Sequence, residues 1–478
     1  MEHKARLAIL WGFMFLALGL GIAFAYGAVW AASASVPYMV KDINPGINDA
    51  VNRNTPSINV NGIVFFPAND GAHGEELWKS DGTVTGTVMV KDIYSGTGSS
   101  SPQNFVNFGG NFFFSSDDGD RGFELWKSDG KLTGTVMVKD IYTGSGSSSP
   151  SWLTVVGSIL YFYADNGTFG GELWKSDGTF TGTVCVRDIN TGTSSSEIRW
   201  LTEMDNKLYF SADNGVQGLE LWKSDGTYTG TVMIRDISPS GWSSSSPNYL
   251  TPIDGTLFFS AFSGVGTELW KSDGTYTGTV LVKDIKPVTE SSWPFALTNI
   301  DGTLFFGAED WDYGTTLWKS DGTMTGTVMV KAISPVGGDY FINLDGIALL
   351  AATAGSSSNV ELWRSDGTFT GTYMVKDINP GVEGSSPMGL TNINDELFFE
   401  AYTPETGEEL WSSDGSLTGT VLIQDINPGL DGSFPSWFTL SGNLIFFYAM
   451  DGSHGFELWA LPAPLPPLHK VFLPTVIQ

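Results

Sequence analysis

Cysteine is all but missing from this chain of 478 residues, and the absence removes a whole class of folds. With Cys185 alone, no disulfide framework can staple loops together, so stability has to come from a packed apolar core. Histidine is nearly as scarce, at four residues. His73 and His454 fall at one turn register in the first and last repeats, but two histidines without a cysteine or a third histidine make a poor metal site. No segment carries apolar residues at the i, i+3, i+4 spacing of an amphipathic helix. Signatures of chemistry are also absent: no Gly-x-Ser-x-Gly elbow, no phosphate loop, no zinc-protease helix. Positive charge is thin, with 24 Lys and Arg against 52 Asp and Glu and a net charge of −28. Nucleic acid and anionic lipid need clustered cations that release counterions, so both are excluded as partners. Cations and neutral polymers remain.

What the chain has instead is a phrase. Glu-Leu-Trp-Lys-Ser-Asp-Gly-Thr, or a close variant, occurs nine times, with its tryptophans at 78, 126, 174, 222, 270, 318, 363, 411 and 459. Seven of the intervals are 48 residues and one is 45, which identifies a repeat architecture whose units cannot bury their apolar faces alone. Conserved positions of the repeat hold 24 of the 52 acids and 15 of the 24 bases. The remaining acidic surplus lies largely in the loops that vary from copy to copy.

Each copy reads as four short strands. In the second, Phe105 to Phe108, Asn111 to Ser115, Phe123 to Lys127 and Val136 to Ile141 are apolar, with turns at Gly109-Gly110, Asp117 to Gly122 and Ser128 to Thr135. In Glu124-Leu125-Trp126 the leucine and tryptophan point to opposite faces, so both faces of the sheet need a neighbour. Four antiparallel strands in about 40 residues, buried on both faces, describe a propeller blade. Cys185 takes the register of Met89 and Met137 and is expected to pack as a small apolar residue.

The ends of the repeat array complement each other. Tyr38 to Ile43 is a fourth strand without its first three, and the last copy stops after its third at Trp459. The expected fold is therefore an all-β propeller of nine four-stranded antiparallel blades, closed by the N-terminal strand, with an eight-bladed ring or an open repeat array as the alternatives. The seventh copy is the least regular, since Thr353 to Ser358 replaces the acidic turn there. Residues 1–34 combine Lys4 and Arg6, an apolar run from Leu7 to Trp30 and Ala32-Ser33-Ala34, the layout of a signal peptide or an uncleaved N-terminal membrane anchor. The propeller is expected over 35–461 and a proline-rich tail over 462–478.

The phrase Glu124-Leu125-Trp126-Lys127-Ser128-Asp129-Gly130, completed by threonine in Glu172 to Thr179, resembles the ELWxxDGT repeat family of exported bacterial proteins, over Tyr38 to about Leu461. The resemblance implies an exported, propeller-like protein and supplies no catalytic residues. Thr316 in place of glutamate and Ala460-Leu461 after the last tryptophan are the two departures. Both spare Leu and Trp, the packing pair.

Antiparallel blades send the turns between second and third strands, together with the linkers between blades, to one rim, and the Ser-Asp-Gly-Thr turns to the other. Specificity is expected on the variable rim. There Asp117, Asp118 and Asp120, and Glu309, Asp310 and Asp312, are candidate calcium ligands by their density of carboxylates. Trp152, Trp200 and Trp437 share a register at the start of the innermost strand, beside the axis, where indoles could stack on sugar rings. The expected function is a non-enzymatic binding or adhesion scaffold, secreted or at the cell surface. The alternative is a propeller enzyme, a glycan lyase or hydrolase with its site at the channel mouth. Carbohydrate or a surface protein is the expected partner, calcium the one cofactor considered, and a monomer the expected state. Membrane contact is expected only through the N-terminal segment, if it is uncleaved.

Overall fold

The computed structural model of the protein describes residues 36–239, 244–287, 289–336, 341–354 and 358–466; the expected signal or anchor and the end of the tail lie outside them. Nine antiparallel sheets stand in a ring, making a nine-bladed β-propeller. In blade 2 the strands run Gln103–Phe108, Asn111–Asp117, Phe123–Ser128 and Val136–Lys139, and they pair in sequence order. The innermost strands of successive blades lie against one another around the axis, and Ile58–Val60 of blade 1 meets Ser436–Ser441 of blade 9.

Closure follows the complementary ends. Tyr38–Lys41 pairs antiparallel with Glu457–Pro462, placing Tyr38 opposite Ala460 and Met39 opposite Trp459. The innermost edges meet as well, through a hydrogen bond of 2.8 Å between the hydroxyls of Ser57 and Thr439.

Packing lies between blades, and each of the nine junctions has its own apolar cluster. Trp126 packs backward with Phe65 and Leu77 of blade 1, and Leu125 packs forward with Leu160, Phe162 and Trp174 of blade 3. The repeated tryptophan and leucine are thus mortar on opposite faces of one sheet. Cys185 sits partly buried in this packing, where burial pushes its thiol up to about 12 and leaves it inert.

The repeated lysines clip blades together. Lys127 Nζ donates to the carbonyl of Gly178 at 2.8 Å, and Lys139 Nζ to that of Thr183 at 2.7 Å, both in the next blade. The same two clips recur as Lys175 to Gly226 and Arg187 to Thr231. In sequence alone these bases read as charge balance for the acids of the repeat. Their role is to satisfy turn carbonyls across a junction.

Blade 7 departs from the pattern. Its linker forms a strand of its own, Ile333–Pro335, which pairs with Ala352 to Ala354, while Ile342–Leu344 takes the inner position. Regular structure outside the strands is confined, among the described residues, to one 3-10 turn at Leu132–Gly134. Among those residues no helix is long and apolar enough to cross a membrane.

Candidate functional site

The two rims differ in what their side chains are free to do. On the constant rim the octet from Ser80 to Thr87 satisfies itself: the Ser80 and Thr87 hydroxyls meet at 2.7 Å, and Asp81 Oδ1 accepts both the N–H and the hydroxyl of Thr83. The Thr83 hydroxyl accepts the N–H of Gly86, and Thr87 donates back to the Thr83 carbonyl. The Thr83 hydroxyl and N–H hold the Asp81 carboxyl below its usual range, and Thr179 does the same for Asp177. This is turn chemistry, and it leaves little for a ligand.

On the variable rim the innermost strand begins with a bulge. Pairing between Ser151–Val156 and its neighbour slips between Ser151 and Thr154, and Trp152 inside the slip adopts φ of +56°. The same left-handed backbone holds Asn104, Trp200, Tyr249, Ala296, Gly389 and Trp437 in other blades. For residues other than glycine that conformation is costly, and a bulge re-aims the side chain it carries.

Three of these bulges carry aromatics in consecutive blades. The Trp152 and Trp200 rings lie 5.8 Å apart, and Trp200 and Tyr249 lie 5.0 Å apart, so blades 3, 4 and 5 share one aromatic row. Trp152 is 42% exposed. Trp200 is fixed by its indole N–H, which donates to Asn248 Oδ1 at 3.0 Å, while Asn248 Nδ2 donates to the carbonyl of Ser246. Trp437 stands apart in blade 9, its indole N–H donating to the carbonyl of Arg53.

Beside the row opens a cavity of about 620 Å³ between blades 4, 5 and 6. Trp200, Tyr249, Phe262 and Trp293 form its aromatic walls, and among the described residues no charged side chain lines it. Phe262 and Trp293 went unnoticed in the sequence because they lie outside the repeated phrase. A tryptophan in a linker, off the 48-residue register, was the available signal.

The candidate calcium ligands are engaged in their own turns. Asp117 Oδ1 accepts the N–H of Gly119, and Asp118 accepts the N–H of Asp120 and pairs with Arg121 at 2.7 Å. Asp310 Oδ1 accepts the N–H of Asp312, and Glu309 pairs with Lys286 at 3.0 Å. Among the described residues no three His, Cys, Asp or Glu side chains form a group able to hold a metal ion. His73 and His454 repeat one arrangement, each Nδ1 lying 2.9 Å from the aspartate three residues earlier, Asp70 and Asp451. Those carboxylates raise both imidazoles above the usual histidine range.

Across the mouth, Arg53 pairs with the buried Glu400 at 3.1 Å and rests against the rings of Phe434 and Phe456. This pair ties the closing linker to blade 8.

No family model matches the chain, and no curated protein does. Among solved structures, the computationally designed Ika8 protein is similar at 15% identity and a TM-score of 0.43, over 75% of this chain and 96% of that one. Puromycin hydrolase aligns at 14% identity and a TM-score of 0.38, over 73% of this chain and 58% of its own. The β-propeller domain of the Trilobed protease from Pyrococcus furiosus aligns at 11% identity and a TM-score of 0.35, over 69% of this chain and 97% of that domain.

Proposed function

We propose that the protein is an exported, non-enzymatic binding scaffold of the ELWxxDGT repeat type, acting at the cell surface or outside the cell through its variable rim. The observation that carries the reading is the contrast between rims. Constant turns spend their polar groups on themselves, whereas unrepeated aromatics stand exposed at the mouth on strained backbone.

Most glycoside hydrolases use two carboxyl groups flanking the scissile bond, and the described residues that line the cavity include none. That favours binding over catalysis. The partner is a carbohydrate or a surface protein, and the net charge of −28 turns away polyanions.

A glycan array probed with the full chain, in calcium and in a chelator, tests the reading. Binding that persists in the chelator puts recognition on the aromatics, and binding lost there gives calcium a role at the Asp117 or Asp310 turns. Release of product from bound glycans would overturn the non-enzymatic assignment. Fractionation of producing cells tests export, and a protein held in the cytoplasm would refute it.

A further inference from the structure

We infer that the cavity between blades 4, 5 and 6 seats one ring of a neutral sugar, with Trp293 as the stacking platform and the hydroxyls of Ser260 and Thr267 as the groups that read the ring's own hydroxyls. The inference rests on the binding reading above and narrows it to one ligand class at one address.

Two hydroxyls on otherwise buried residues open onto the cavity. Ser260 is 3% exposed and Thr267 is 6% exposed, both line the cavity, and among the described residues neither hydroxyl has a hydrogen-bond partner. Two serines of the adjoining linker are engaged by the protein: the Ser245 hydroxyl donates to Glu220 at 2.6 Å, and Ser244 Oγ accepts the N–H of Leu219 at 3.0 Å. A hydroxyl that faces a cavity and is not engaged by the protein is free to bond another molecule, and here two such hydroxyls stand beside an aromatic wall.

The platform's main chain is tied to one of those residues. Trp293 is 59% exposed in a linker, with φ of +47°, and its N–H donates to the carbonyl of Thr267 at 3.2 Å. This backbone bond holds the Trp293 main chain beside Thr267. On the opposite wall Trp200 is locked by Asn248, so the cavity is built before anything enters it.

The chemistry of the lining selects the ligand. Aromatic walls suit a molecule with an apolar face, and the hydroxyls suit one with hydroxyls at its edge. A lining without charge on an acidic protein suits one that is neutral. A sugar ring has all three properties: C–H groups on one face, hydroxyls around the rim, no charge. A flat aromatic compound would use the walls and leave Ser260 and Thr267 unpaired.

The test presents the full chain to an array of neutral and anionic glycans. The best hit is then titrated by tryptophan fluorescence against Trp293→Ala, Thr267→Val and Ser260→Ala, with Leu132→Ala and Leu417→Ala on the constant rim as controls and Trp152→Ala and Trp437→Ala as the rival address. Melting curves establish that each variant is folded. Expected are binding of neutral glycans only, a loss of about tenfold or more for Trp293→Ala and roughly fivefold for each hydroxyl deletion, and less than about twofold for the controls. An array without neutral hits, or with anionic hits alone, overturns the inference. If a surface protein binds instead, the inference fails and the binding reading stands. A glycan whose affinity ignores Trp293→Ala and Thr267→Val but falls with Trp152→Ala or Trp437→Ala overturns the address, again leaving the broader reading intact.

Discussion

The junction after blade 2 and the junction after blade 6 solve the same problem in different ways. After blade 2, buried Glu124 holds the linker: its carboxylate accepts the N–H groups of Ile141 and Tyr142 at 2.9 and 3.1 Å, and the N–H and hydroxyl of Ser148 at 3.2 and 2.6 Å. After blade 6 the corresponding residue is Thr316, whose hydroxyl donates to the carbonyl of Ala308 at 3.2 Å and accepts the indole N–H of Trp318 at 2.8 Å, with no bond to the described part of the linker. That linker finds its hydrogen bonds by becoming the strand Ile333–Pro335. The two junctions trade partners, for the indole N–H of Trp126 is buried without an acceptor where glutamate serves the linker. The lesson is that the glutamate of the repeated phrase is a clamp for backbone donors, and a linker loses it only by acquiring a ladder instead.

Glu124→Ala breaks this comparison most sharply. It strands several buried donors at once, and a loss of about 3–5 kcal/mol in denaturant unfolding is expected. A loss within the range of an ordinary surface substitution would show that the linker needs no clamp.

Next in size is a pH effect peculiar to the clamped junctions. Burial pushes Glu124 up to about 6 and Glu172, Glu220 and Glu457 up to about 7, against the pull of their hydrogen-bond donors. These carboxyls hold protons more tightly folded than unfolded. Their contribution is therefore complete below their ordinary value of 4.5 and is lost as pH rises through about 6 to 7. The turn aspartates, among them Asp81 and Asp177, act oppositely, since their depressed values add stability that disappears on acidification below 3.8. The melting temperature should peak at about pH 4 to 5 and fall toward pH 8. A curve that rises over that interval would contradict the role assigned to burial.

Thr316→Val is the mildest change. It removes one hydroxyl from a junction that depends on a strand, and about 1 kcal/mol is expected. A loss as large as that of Glu124→Ala would erase the distinction between the junctions.

Most of the fold was legible before any coordinates because the repeat period states the unit and the unmatched ends state the closure. Leu125 and Trp126, adjacent in the chain, already require two neighbours. The site was less legible, for a physical reason. Trp152, Trp200 and Trp437 share a register, so their alignment was visible, but only the geometry joins Trp200 to Tyr249 and sends Trp437 to Arg53. The cavity draws Ser260, Thr267 and Trp293 from a second strand, a third strand and a linker, and no spacing rule connects those segments. The clips made by Lys127 and Lys139 were hidden for the opposite reason, since a base repeated in most copies looks like charge balance until its carbonyl partner in the next blade is seen.

The pairing of Tyr38–Lys41 with Glu457–Pro462 also sets a timetable for folding. Tyr38–Lys41 waits unpaired until more than four hundred residues have been made and Glu457–Pro462 of blade 9 reaches it. Until that moment the polypeptide is an unfinished crescent with an adhesive border, open to the ninth blade of another copy. The late step is a search between distant ends, so assembly should be slow and sensitive to crowding by sister chains, and the finished circle correspondingly slow to reopen.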